Sequence, residues 1–128
     1  MKIHFPFKAR IVYLILSKKP EEALEQLSSY YNVEIPKVRI GMPKGHAKNR
    51  GCYVVRKKTI YFSNQDALYN PHVVLHEFYH HLRTQGEKHR GTEKLADAFA
   101  KNFLEIYRQM AGIHSDQIET DTNSIQQI

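Results

Sequence analysis

The dipeptide Asn70-Pro71 narrows what this chain can fold into more than any other feature, because it fixes where a long helix begins. An asparagine side chain accepts hydrogen bonds from the orphan N–H groups of a first helical turn. A proline at the next position has its φ preset and no N–H to lose. No glycine or proline then interrupts the chain until Gly86, which ends the helix at about Thr84. Val74, Leu75, Phe78 and Leu82 recur at helical spacing and give this helix one apolar face. After a polar loop, Gln85 to Gly91, Thr92 opens another helix with Glu93 and Lys94 in its first turn. That helix continues to about Ala111, where Gly112 terminates it.

Upstream, the pattern is helical first and then extended. Pro6 precedes the apolar run Ile11 to Leu16, and Pro20 opens a second amphipathic segment from Glu21 to Tyr31, with Ala23, Leu24 and Leu27 on one stripe. Lys18-Lys19-Pro20 either separates two helices or kinks one. From Val33 the composition turns β-branched. Val38-Arg39-Ile40 alternates like a strand, and Cys52 to Arg56 with Thr59 to Ser63 flank Lys57-Lys58 as a hairpin lacking the usual Asn-Gly turn. The order is therefore helices, three short strands, helix, helix: an α+β domain over residues 1–112, with a polar tail over 113–128.

The chain has 128 residues, enough for one domain with a real core. Its one cysteine, Cys52, cannot close an intramolecular disulfide, which fits a reducing compartment. The apolar run Ile11 to Leu16 is far short of a membrane span, and the Ser17-Lys18-Lys19-Pro20 segment after it offers no small-residue cleavage site. A cytoplasmic protein without a membrane association is the expectation. The net charge is +6, gathered in Lys44 to Lys58 and in Arg83 to Lys94. Such clusters could meet nucleic acid or an acidic protein, although no nucleic-acid-binding motif accompanies them.

Within the Asn70 helix the sequence reads His76-Glu77-Phe78-Tyr79-His80. Residues four apart on a helix differ by about 40° and rise about 6 Å, so His76 and His80 project side by side. Two imidazoles so placed can reach one zinc ion at about 2.0–2.1 Å. Glu77 lies roughly 100° round the helix, beside the pair, where its carboxylate can touch a water at the metal without occupying a ligand position.

A zinc site needs a third protein ligand. On the last helix Glu93 and Asp97 are four apart and share a face with Ala96 and Ala100, whose small side chains allow close approach to the His76/His80 helix. Leu95, Phe99, Phe103, Ile106 and Met110 form a larger stripe expected to pack into the core. Glu93 would then be the third ligand, and Asp97 could accept a hydrogen bond from the non-ligating nitrogen of a zinc histidine. His89 is an alternative third ligand. His72 extends the histidine stripe by a turn, but sits about 12 Å along the axis from His80.

H-E-x-x-H followed by a helix with Glu-x-x-x-Asp resembles the gluzincin metallopeptidases. That resemblance implies Glu93 as zinc ligand and Asp97 as the partner of His76. In size and layout the chain is similar to the minigluzincins, which implies that such an enzyme can be latent. It more distantly resembles the SprT-like and ImmA/IrrE-like proteases. Only twelve residues separate His80 from Glu93, fewer than in thermolysin, which implies a trimmed scaffold. The function expected is hydrolysis of a peptide or protein substrate, with zinc as cofactor and Glu77 as general base. The strand Thr59 to Ser63, immediately before the motif helix, is a candidate edge for binding substrate as an added strand. Three other readings stay open: a protease acting on nucleic-acid-bound proteins, a regulatory protease that cleaves one repressor, and a non-catalytic zinc-binding protein.

Overall fold

The structure is a computed structural model that describes residues 5–84 and 92–112. Helices α1 (Phe7–Leu16) and α2 (Pro20–Tyr31) lead into strands β1 (Lys37–Ile40), β2 (Gly51–Val54) and β3 (Thr59–Phe62). A short helix α3 (Gln65–Leu68) precedes α4 (Pro71–Arg83) and α5 (Thr92–Gly112). Among the described residues, five α-helices and a three-stranded mixed sheet make this an α+β fold. The tail over 113–128 and the residue His89 lie outside the described residues.

The backbone signals act where the sequence puts them. Lys18 takes a left-handed conformation and Pro20 occupies the first turn of α2, so α1 and α2 are separate helices and not one kinked one. Asn32 closes α2 in the left-handed region, where asparagine is tolerated better than most residues. The Asn70 side chain accepts from the backbone N–H groups of His72 and Val73, capping α4. The hairpin turns through a single 3₁₀ turn, Val55–Lys57, and then Lys58 at φ 50°. Lys58 thus stands where glycine or asparagine would be usual, which is why the turn carries no Asn-Gly signature.

Strand order is β1-β3-β2, with β1 parallel and β2 antiparallel to β3. The expectation of β3 as a substrate-binding edge is therefore corrected. Both of its edges are paired, and among the described residues the free edges belong to β1 and β2. The core lies between one face of the sheet and the helices: Ile11, Val12 and Ile15 of α1, Leu24 and Leu27 of α2, Ile60 and Phe62, Leu75 and Phe78, and Phe103. On α5 the buried stripe is Ala96, Ala100 and Phe103, whereas Leu95 is half exposed. Of the expected stripe from Leu95 to Met110, Phe103 is buried in the core and Phe99 packs against it, while Leu95 departs from it. α5 packs against both α4 and α1, with Ala96 and Ala100 fully buried.

Candidate metal centre

Helix α4 is held from below by Val74, Leu75 and Phe78, which are fully buried, and this fixes the outward azimuth of His76 and His80. Helix α5 packs against it, with Ala96 and Ala100 fully buried. In that packing the Glu93 carboxylate reaches both histidines: Oε1 is 3.0 Å from His76 Nε2, and Oε2 is 3.2 Å from His80 Nε2. One turn further along α5, Asp97 Oδ1 lies 3.0 Å from His76 Nδ1. The ring atoms of His76 and His80 and an oxygen of Glu93 all fall within 4.8 Å of one another, a group that could hold a metal ion.

The donor set could accommodate a cation. If His76 donates its Nδ1–H to Asp97, its Nε2 turns a lone pair towards Glu93 Oε1. Two lone-pair atoms 3.0 Å apart repel unless a proton or a metal ion sits between them. His80 Nε2 lies 3.2 Å from the other carboxylate oxygen. His76 and His80 are largely shielded by their neighbours, with 17% and 7% of their side chains exposed, while Glu93 stands open to solvent at 80%.

Glu77 sits beside this group and is nearly buried. Burial pushes its carboxyl up to about 7, with the Glu93 charge adding to the rise and His76 opposing it. The pocket that shields it depends on Gly51 of β2. A Cβ there would fall 2.9 Å from Glu77 Cγ and 2.9 Å from Val73 Cγ1. The missing side chain lets strand β2 run directly over the Glu77 stem.

His72, which the sequence placed too far from His80 to share a metal, is 3.7 Å from Asp97 Oδ1. With His76 and Asp97 it forms a second group of potential ligands, overlapping the first at His76 and excluding His80. Burial lowers the His72 pKa below its ordinary value, against the pull of Asp97.

Sequence reasoning missed His81. It is fully buried, with Nε2 2.7 Å from the backbone carbonyl of Glu34 and Nδ1 2.8 Å from the Tyr53 hydroxyl. A carbonyl can only accept, so His81 donates from Nε2 and accepts the Tyr53 O–H at Nδ1. Burial accordingly pushes its pKa down, favouring the neutral ring. This side chain ties α4 to β2 and to the segment entering β1. No motif announces it, because its partners are 28 and 47 residues away.

The group opens into a cleft of about 780 Å³. One wall is α4 and α5; the other is β2 with the preceding loop, from which His46, Lys48 and Arg50 line the rim. The volume suits a small ligand or a short stretch of peptide.

The chain matches no protein-family model, no curated protein and no solved structure. Among the described residues, no helix is long and apolar enough to cross a membrane.

Proposed function

We propose that this chain is a zinc-dependent peptidase of the gluzincin type. The observation that carries the reading is the convergence of His76 Nε2, His80 Nε2 and the Glu93 carboxylate beside the buried Glu77. The donor set fits zinc. In a tetrahedral site with ligands at about 2.0–2.1 Å, neighbouring ligand atoms lie roughly 3.3 Å apart. The nitrogen–oxygen separations here are 3.0 and 3.2 Å. Two imidazoles and one carboxylate also leave a fourth position for a water, as catalytic zinc sites do.

Bound there, zinc supplies a Lewis acid that polarises a carbonyl and lowers the pKa of a water towards about 7. His76, His80 and Glu93 would hold it. Asp97 takes the Nδ1–H of His76, fixing the tautomer that presents Nε2 to the metal. Glu77 takes a proton from the attacking water and passes it to the leaving amine. Its near-burial keeps bulk solvent from competing for that proton. The free strand edge bordering the cleft is β2, through Gly51, Cys52 and Tyr53, and an extended peptide would lie along it.

The test is zinc analysis of the purified, zinc-reconstituted protein together with digestion of a broad peptide library. One zinc per chain and zinc-dependent cleavage are expected. A chain that takes up no zinc overturns the reading, and one that binds zinc but cleaves nothing reduces it to metal binding alone.

A further inference from the structure

Among the described residues, the sheet packs into the core through one face, that of Val38, Tyr53, Ile60 and Phe62. On the opposite face the pleat directs Lys37 and Arg39 of β1 outward, with Thr59 and Tyr61 of β3 beside them in register. The hairpin turn adds Arg56, Lys57 and Lys58 at the end of the same face. These residues, with Glu34 and Ile35, line a shallow hollow of about 440 Å³ that is separate from the metal cleft. Five of the nine lining residues are cations and one, Glu34, is an anion. Glu34 is paired with Lys58 at 3.2 Å. Among the described residues, Lys37, Arg39, Arg56 and Lys57 form no ion pair.

Four like charges around one hollow repel one another, and an exposed Lys58–Glu34 pair contributes little to offset that. Nothing in the packing calls for them: Lys37, Arg39, Arg56 and Lys57 are all exposed, and the sheet's core contacts come from its other face. Lys37 and Arg39 are two residues apart on one strand, hence roughly 6.6–6.8 Å, a step similar to that between successive phosphates of an extended nucleic-acid strand. Tyr61, opposite Arg39, is half-buried and sits on the same open face. A cationic groove with an aromatic ring on its floor is the combination that holds a single strand, phosphates on the cations and a base on the ring. An acidic peptide would use the cations and have no need of the ring.

We infer that the outer face of the sheet, through Lys37, Arg39, Arg56, Lys57 and Tyr61, binds single-stranded nucleic acid. The inference does not rest on the peptidase reading, since the hollow and the metal cleft share no lining residue.

The test is fluorescence anisotropy of a labelled oligothymidylate titrated with the full chain at several salt concentrations. Each phosphate contact contributes about −0.7 to the log–log salt slope for single strands. Arg39→Gln with Arg56→Gln should weaken binding by tenfold or more and make the slope shallower by about 1.4, for two contacts. Tyr61→Leu should weaken it about tenfold with the slope unchanged, because the ring carries no charge. Lys101→Gln with Arg108→Gln, an equal charge loss on exposed positions of α5, should leave affinity within about twofold. Circular dichroism checks that each variant is folded. Equal losses from the sheet pair and the α5 pair would overturn the assignment, leaving only net charge. Displacement of the oligonucleotide by polyglutamate at matched charge would overturn it in favour of an acidic protein ligand.

Discussion

At the scale of single residues, Glu77 carries the sharpest predictions. In the metal-free protein burial holds its carboxyl up to about 7, against 4.5 for an ordinary glutamate. The folded state therefore keeps a proton that the unfolded chain has lost between those values. Metal-free stability should fall as pH rises from about 4.5 through about 7, and stay lower above that. Glutamine spares the cost of a buried charge. At pH 8, in chelator, Glu77→Gln should resist urea better than the parent, by on the order of 2–3 kcal/mol, and the gap should narrow at pH 5. Equal unfolding curves at both pH values would show that Glu77 is better solvated than its burial indicates. Gly51→Ala works from the other side. The added methyl meets Glu77 and Val73 at 2.9 Å, inside contact distance. A loss of about 1–3 kcal/mol is expected in thermal or urea unfolding, together with a displaced Glu77. A variant as stable as the parent would mean that β2 can lift off the helix at no cost. Asp97→Asn tests the orienting contact to His76 and should weaken zinc 10–100-fold in a competition titration. Helical spacing sets which side chains of one helix share a face, so the pairing of His76 with His80 and of Glu93 with Asp97 was legible in the sequence. The meeting of the two pairs depends on how α5 packs on α4. Gly51 and His81 were not legible. Their roles come from a strand crossing a helix, and no local pattern encodes that crossing.

Among the elements, the helices were legible and the sheet only in part. Asn70, Pro20 and Lys18 act on their own neighbours, so caps and breaks could be placed from the sequence. Asn70→Ala removes the acceptor for two backbone N–H groups and should cost about 1–2 kcal/mol of stability. The short helix α3 went unread, although Asn64 caps it by accepting from the Ala67 N–H. At four residues it gives no apolar period to detect. Strand order was beyond reach, since sequence adjacency favours pairing β2 with β3 and says nothing about β1 inserting parallel on the far side. The α4–α5 contact is the element-scale hinge of the site. Ala96 and Ala100 are fully buried on α5, which packs against α4. Ala100→Leu should force them apart, costing about 1–3 kcal/mol and weakening zinc by pulling Glu93 off the histidines. If stability falls and zinc affinity holds, Glu93 does not depend on this packing to reach the metal.

For the molecule as a whole, the structure sets two surfaces on one small scaffold: a cleft with acidic and histidine side chains between β2 and the helices, and a basic hollow on the sheet's outer face. The net charge of +6 was visible at once, but charge counts cannot say which cations share a face. Pairing β1 with β3 is what gathers Lys37 and Arg39 beside Tyr61. Any ligand that binds only the folded chain stabilises it by mass action, so zinc at about a hundredfold over its Kd should add about 2.7 kcal/mol and raise the Tm, reversed by chelator. In the proposed function, Glu77 is the general base for peptide hydrolysis at a zinc ion held by His76, His80 and Glu93. The most direct measurement is peptide-library cleavage by the zinc-loaded chain and by Glu77→Gln, at matched zinc content. Cleavage by the parent and none above background by the variant are expected, with one zinc in each. Equal cleavage by both, or cleavage that survives full removal of zinc, would contradict it.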